Sequence, residues 1–409
     1  MATEQDIRFS RRSTLGNIVG LIPAVAIIAA TLTWSCGSGG LLSLTGGNAA
    51  VSPTSSPTAG TGALAFVTNF NDGKVSSFTR NTTTGVLKHT GQVTAGSKSG
   101  PRGLVASPNA SFLYVANIND DNIYQYSINS TNGVLTPLGT PSISNGAGSA
   151  PDQIAVNPAG TFLFVTGFGK GTITTYSINA GTGLLTEQSR VTGLVNPFGI
   201  AVDPSGSYAY VTDNGAGLVY SFGINSSTGA LSQIGPPVYD LKASGGTPGF
   251  IAVDPAGTYI YVTDLNAGVL AVLGTSAGTL SFGQVVPSTM TNNLPIGIAY
   301  AAVNTVANFV FTANQGTDTM WSFQLPVPGF PATPVQFGSG DLSAPTGAVV
   351  DPQNAFLYTT NQNAGTISQF ALTPACFSSS SAPCFVGSVA SESHPANPNS
   401  GPFGITLAQ

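Results

Sequence analysis

Four residues beside recurring Pro-x-Gly tripeptides are of the types that could handle a polar ligand. Arg102 follows Pro101, Asp152-Gln153 follows Pro151, and Phe250 ends Pro248-Gly249-Phe250. Most other copies carry Phe, Ile or Thr in the middle and Gly at the end. A guanidinium and a carboxylate brought to one cavity grip a polar or anionic ligand. The same two charges, on neighbouring repeats, could instead pair with each other or face solvent. Arg102, Asp152, Gln153 and Phe250 are therefore the candidate ligand-binding residues. Arg102 and Asp152 are also the weak candidates for any catalysis.

Other chemistry-bearing residues are sparse. Lys170 in Gly169-Lys170-Gly171 and the run Asn119-Asp120-Asp121 read as charges on exposed turns. Calcium binding by that acidic pair would need several more oxygen ligands. The two histidines, His89 and His394, show no metal-ligand spacing, and no metal site or cofactor is expected. Glu187 and Glu392 fall outside the strands expected to line a channel. No His-Glu-x-x-His or Gly-Lys-Ser/Thr signature occurs.

Three cysteines remain. Cys376 and Cys384 flank a Ser-rich stretch, Phe377 to Pro383, expected to be a loop. In an exported protein such a pair suggests a local disulfide; two free thiols or half a metal site are the alternatives. Cys36 closes a different pattern. Arg8, Arg11 and Arg12 precede an apolar run from Ile18 to Trp34, then Ser35-Cys36-Gly37-Ser38. Residues 1–36 therefore read as an export signal, with lipid attachment at Cys36, simple cleavage and an uncleaved anchor as the readings. Ser10-Arg11-Arg12-Ser13-Thr14-Leu15 also resembles a twin-arginine motif. Residues 37–62 form a Gly/Ser/Thr/Pro linker, which as a random coil would reach roughly 25–30 Å.

The elements that must position the candidates come from a repeat. An aromatic-Val-Thr-Asn-like tetrapeptide recurs at Phe66, Tyr114, Phe164, Tyr210, Tyr261, Phe311 and Tyr358, spaced 46 to 51 residues apart. The Pro-x-Gly marker recurs seven times too, at Pro101, Pro151, Pro197, Pro248, Pro295, Pro345 and Pro402. The two series are out of phase. The first tetrapeptide has no marker before it, and the last marker has no tetrapeptide after it. The C-terminal strand must then complete the N-terminal unit, which removes a free sheet edge. Each unit reads as four strands: a after the marker, b on the tetrapeptide, c on an alternating run such as Ile123 to Ile128, and d after a Gly-containing hairpin. Turns such as Asp203-Pro204-Ser205-Gly206 join a to b. A longer turn, Ala301 to Ala307, is expected in the sixth unit. The expectation is an all-β, seven-bladed propeller of four-stranded antiparallel blades over residues 63–409.

Composition agrees. Only 7% of the 409 residues are charged, with 11 Lys+Arg against 16 Asp+Glu. So few basic residues cannot form a nucleic-acid-binding face. The 42% hydrophobic content argues against disorder. Residues present in every unit read as structural. The Asn or Asp closing six of the seven tetrapeptides, Gly167 being the exception, should hydrogen-bond the following turn, and the aromatics should lie between blades.

The tetrapeptides resemble the YVTN repeat of surface-layer-type propellers. The whole unit resembles the seven-bladed lactonase family that includes 6-phosphogluconolactonase-type enzymes, over about residues 63 to 409. That resemblance implies an active site in the channel, with His after a Pro-Arg pair and Glu and further Arg around it. Here Pro101-Arg102 matches, but Gly103 follows. Lactone hydrolysis needs a base and an oxyanion-stabilising group, and Arg102 is the candidate cation. Two readings follow. The first is an exported, lipid-anchored monomer of the cell envelope, periplasm or cell surface. It would touch the membrane only through its N-terminal anchor. It would act as a non-catalytic scaffold or bind a protein, glycan or small molecule on one propeller face. The second is a lactone hydrolase with an altered site in the channel.

Overall fold

The computed structural model describes residues 63–97, 100–238, 246–286, 294–303, 307–325, 334–338, 340, 342–380, 382–391 and 401–408. The export segment, the linker, Cys36, Glu392 and His394 lie outside the described residues.

Seven four-stranded antiparallel sheets form the blades of a β-propeller. Blade one is completed by the chain's last strand, Pro402–Ala408, paired with its first, Leu64–Asn69. Thr406 lies opposite Phe66, and Pro402 opposite Asn69. Blades two to seven then follow in chain order. Their inner a strands are Pro101–Ala106, Pro151–Val156, Pro197–Val202, Pro248–Val253, Pro295–Val303 and Pro345–Val350. Each a strand contacts the a strands of both neighbouring blades, so the seven close a ring around the central channel.

The two sequence markers meet in every blade. The marker proline pairs with the last tetrapeptide residue, as in Pro197 opposite Asp213 and Pro345 opposite Asn361. Proline suits the first position of a strand, where no ladder donor is needed. Immediately after it the register shifts, because the x-Gly pair is accommodated as a bulge. The marker glycine has a steric reason. A Cβ on Gly404 would collide with the Arg102 carbonyl of blade two, and one on Gly297 with the Thr346 carbonyl of blade seven. Only glycine lets neighbouring inner strands approach this closely.

The core lies between blades. Tyr114 of blade two is fully buried beside Ile154, Leu163 and Tyr176 of blade three, and its hydroxyl donates to the Gly183 carbonyl there at 2.8 Å. Tyr358 of blade seven donates likewise to Gly85 of blade one at 2.8 Å. A buried tyrosine contributes large apolar area and needs a partner for its hydroxyl, and the adjacent blade supplies it.

Three local expectations are corrected. The stretch after Cys376 is not simply a loop: a short helix, Pro374–Ser380, joins strands c and d of blade seven. In the sixth blade, where a turn is expected from Ala301 to Ala307, Ala301 to Val303 extend strand a and Ala307 begins strand b. The closing Asn or Asp has more than one job. Asp264 accepts from the Asn266 and Ala267 amides of its own turn at 3.1 and 2.9 Å, but also from Thr247 ahead of strand a at 3.0 Å. Asn69 and Asn361 instead donate to Ser76 and Ser368 of strand c, at 2.9 and 2.8 Å.

Candidate functional site

The seven inner strands begin at one end of the channel, so the residue after each marker proline joins one ring of residues. That ring brings Arg102 of blade two to Asp152 of blade three. Arg102 Nη1 donates to Asp152 Oδ2 in an ion pair in which the Asp152 side chain is fully buried and the Arg102 side chain is 22% exposed. Gln153 donates from Nε2 to the other oxygen, Oδ1, at 2.9 Å. Both Asp152 oxygens are thus committed. Arg102 Nε is buried with no acceptor among the described residues.

Aromatic rings converge on this pair from across the ring. The Arg102 guanidinium carbon lies 4.4 Å from the centre of Phe403 in blade one, 5.7 Å from Phe198 in blade four and 5.9 Å from Phe70. A guanidinium within about 6 Å of an aromatic face is attracted by its quadrupole. Phe250 of blade five meets Phe198 edge-on at 5.0 Å and Phe403 at 6.5 Å. Side chains from blades one, two, four and five therefore meet over the channel. A cavity of about 120 Å³ adjoins them, lined by marker glycines, by Gln153 and by the rings of Phe250 and Phe403.

Gln153 and Phe250 enter the cavity for a legible reason. Both occupy the third marker position, where five of the seven blades have glycine. Blade five moves its glycine one place earlier, to Gly249, where a Cβ would meet Leu265 and Thr263.

A threonine clamp holds the ring in register. Thr212, third in its tetrapeptide, accepts from the Gly199 amide of its own blade at 2.8 Å and donates to the Gly249 carbonyl of the next at 2.6 Å. Thr166 does the same between Gln153 and Phe198, at 3.0 and 2.8 Å. Thr360 does so between Gly347 and Phe403, both at 2.8 Å. Thr68 closes the seam, with the Gly404 amide at 2.8 Å and the Arg102 carbonyl at 2.9 Å. Blades two and six have Ala116 and Ala313 at this place. Neither this threonine nor Phe198 and Phe403 stands out as a site residue in the sequence. The recurrence of Thr was the available signal for the first; only the ring geometry reveals the second.

The remaining candidates lie elsewhere. Asp121 accepts from Gly148 and Ala150 at 2.7 and 2.8 Å, holding the loop into blade three. Asp120 accepts from the Tyr124 hydroxyl at 2.6 Å. Burial first, and then Asp120, push that phenol well above its ordinary range. Lys170 is exposed and forms no ion pair among the described residues. His89 and Glu187 sit on outer d strands, away from the channel. Cys376 and Cys384 are joined by a disulfide, with Cα atoms 5.4 Å apart. Among the described residues no cluster of His, Cys, Asp or Glu could hold a metal ion.

Comparison with known proteins gives the ring a family context. The family described as lactonase, 7-bladed beta-propeller, matches residues 67–376. No curated protein matches the sequence. Among solved structures, a Bacteroides fragilis protein provisionally assigned as a 6-phosphogluconolactonase aligns with a TM-score of 0.70 at 15% identity, covering 87% of this chain and 100% of its own. The periplasmic gluconolactonase of Pseudomonas aeruginosa aligns with a TM-score of 0.66 at 17% identity, covering 85% and 98%. A Lactobacillus plantarum protein aligns with a TM-score of 0.62 at 20% identity, covering 85% and 99%. At these identities the likeness speaks for the fold.

Proposed function

The chain belongs to the seven-bladed β-propeller lactonase family, and from that premise we propose that it acts as a binding propeller rather than a hydrolase. Its ligand site is the channel end where Arg102, Asp152, Gln153 and Phe250 meet. One observation carries the reading. Among the described residues Asp152 is the acidic side chain carried by the inner strands themselves, and Arg102 and Gln153 take both its oxygens. A general base must be free to accept a proton from water, and this carboxylate instead anchors a guanidinium. Arg102 retains donors for a ligand acceptor, flanked by Phe403 and Phe198.

We further propose that the protein is exported and tethered through Cys36. The basic residues and apolar run ahead of Cys36 support this. So does the Cys376–Cys384 disulfide, a bond characteristic of oxidising compartments.

The second reading, lactone hydrolysis, is favoured by the family itself. Purified chain assayed on a panel of sugar lactones separates the two. No rate above spontaneous hydrolysis supports binding. Turnover lost in Arg102→Ala supports the enzyme.

A further inference from the structure

The channel cavity is selective by charge and size. Its volume is about 120 Å³, and among the described residues Gln153 supplies its one polar side chain. A cavity of roughly 150 Å³ accommodates benzene, so this smaller one admits at most about six non-hydrogen atoms. An ionic group entering it would give up part of its hydration without gaining a counter-charge. The nearby cation, Arg102, is already neutralised by Asp152. Gln153 turns its amide nitrogen to Asp152, and its Oε1 makes no hydrogen bond among the described residues. That oxygen is open to a ligand donor, while Phe250 and Phe403 add apolar side chains to the lining.

We infer that the cavity takes an uncharged ring of at most about six non-hydrogen atoms bearing a hydrogen-bond donor, and rejects phosphorylated ligands. This rests on the binding reading above and names its ligand class. It also separates this chain from the phosphorylated substrate named for its Bacteroides fragilis structural neighbour.

The test titrates the purified full chain by ligand-observed NMR. The probe is 2-pyrrolidone, a neutral ring of that size whose amide N–H suits Gln153 and which has no ester to hydrolyse. The charged contrast is 6-phosphogluconate. Saturable 2-pyrrolidone binding, with a dissociation constant on the order of 1 mM for so small a ligand, is expected. Gln153→Leu should weaken it at least fivefold. Because that change also strips a partner from Asp152, Phe250→Ala is the second variant. It leaves the Gln153–Asp152 bond intact and should improve binding of the larger ε-caprolactam at least fivefold by enlarging the cavity. The 6-phosphogluconate should give no saturable signal. Saturable 6-phosphogluconate binding that is lost in Arg102→Ala would overturn the ligand class while leaving a binding site at the channel end. If 2-pyrrolidone fails to saturate, or binds equally to all variants, the cavity holds only water and the inference falls. Lactone turnover, which would overturn the binding reading instead, is measured separately.

Discussion

Arg80 and Asp351 form a buried ion pair across the seam where the two ends of the propeller meet. Arg80 ends strand c of blade one, Lys74–Arg80, and Asp351 follows strand a of blade seven. Nη1 lies 2.8 Å from Oδ2, and the side chains are 1% and 0% exposed. Nη2 also donates to Gln353 at 3.1 Å. Asp351 Oδ1 accepts from the amides of Ala355 and Phe356, at 2.6 and 2.8 Å. The pair therefore ties blade one to the turn that shapes blade seven. Removing one partner of a buried pair strands the other charge, at a cost of about 3–5 kcal/mol. Arg80→Ala should lower the unfolding free energy by about that amount in denaturant titrations. Arg80→Met combined with Asp351→Asn should recover much of the loss. Equal losses in the single and double variants would show that the seam does not depend on charge pairing.

The threonine clamp gives a second expectation. Thr212→Val keeps the side-chain shape but removes both hydrogen bonds, stranding the buried Gly199 amide and Gly249 carbonyl. The cost should be about 1–3 kcal/mol, the range for buried polar groups left unpaired. Thr212→Ser, which retains the hydroxyl, should lose much less. The difference is read from the denaturation midpoints at unchanged slope.

How much of this was legible beforehand divides along physical lines. The two tetrapeptide and marker series each required seven copies, and their phase offset required the closing pairing of Leu64–Asn69 with Pro402–Ala408. Repeats reveal what is common to all blades, and the blade framework is common to all. The site is different, because it arises where blades differ. Arg102, Asp152, Gln153 and Phe250 stood out as departures from the marker, and the structure gathers them at one channel end. Phe198 and Phe403 did not stand out, since Phe is ordinary at their position. Their convergence on Arg102 depends on side-chain reach across the ring, which spacing along the chain does not encode. The helix Pro374–Ser380 escaped because its Ser-rich sequence has weak helix propensity.

The disulfide offers a third expectation. Cys376 is buried, and its neighbour Phe377 meets Phe309 of blade six with ring centres 4.4 Å apart. The closed loop is short, with a sequence separation of 8. Chain-entropy reasoning then gives about 2–3 kcal/mol for the cross-link. Reduction should lower stability by that amount, with hydrogen exchange rising chiefly in strand d of blade seven, Cys384–Ala390. Uniform acceleration across all blades would contradict a local role.

His89 provides the pH dependence. It stacks edge-on against Phe78 at 5.3 Å, and burial holds its pKa below the ordinary 6.5. The unfolded chain therefore takes up this proton at a higher pH than the folded chain does. The His89 contribution is fully present above about pH 6.5 and is lost as pH falls through the depressed folded value. Stability should decline over that acidic window in the wild type, and less steeply in His89→Gln. Parallel profiles would show that His89 is not the group responsible.

The proposal that this family member binds rather than hydrolyses rests on the commitment of Asp152 to Arg102 and Gln153. The most direct test measures hydrolysis of a sugar-lactone panel, phosphorylated and unphosphorylated, by wild type, Arg102→Ala and Asp152→Asn. The account predicts that all three match the spontaneous rate at every pH examined. Turnover above that rate in the wild type, abolished by either substitution, would contradict it and make the channel end an active site.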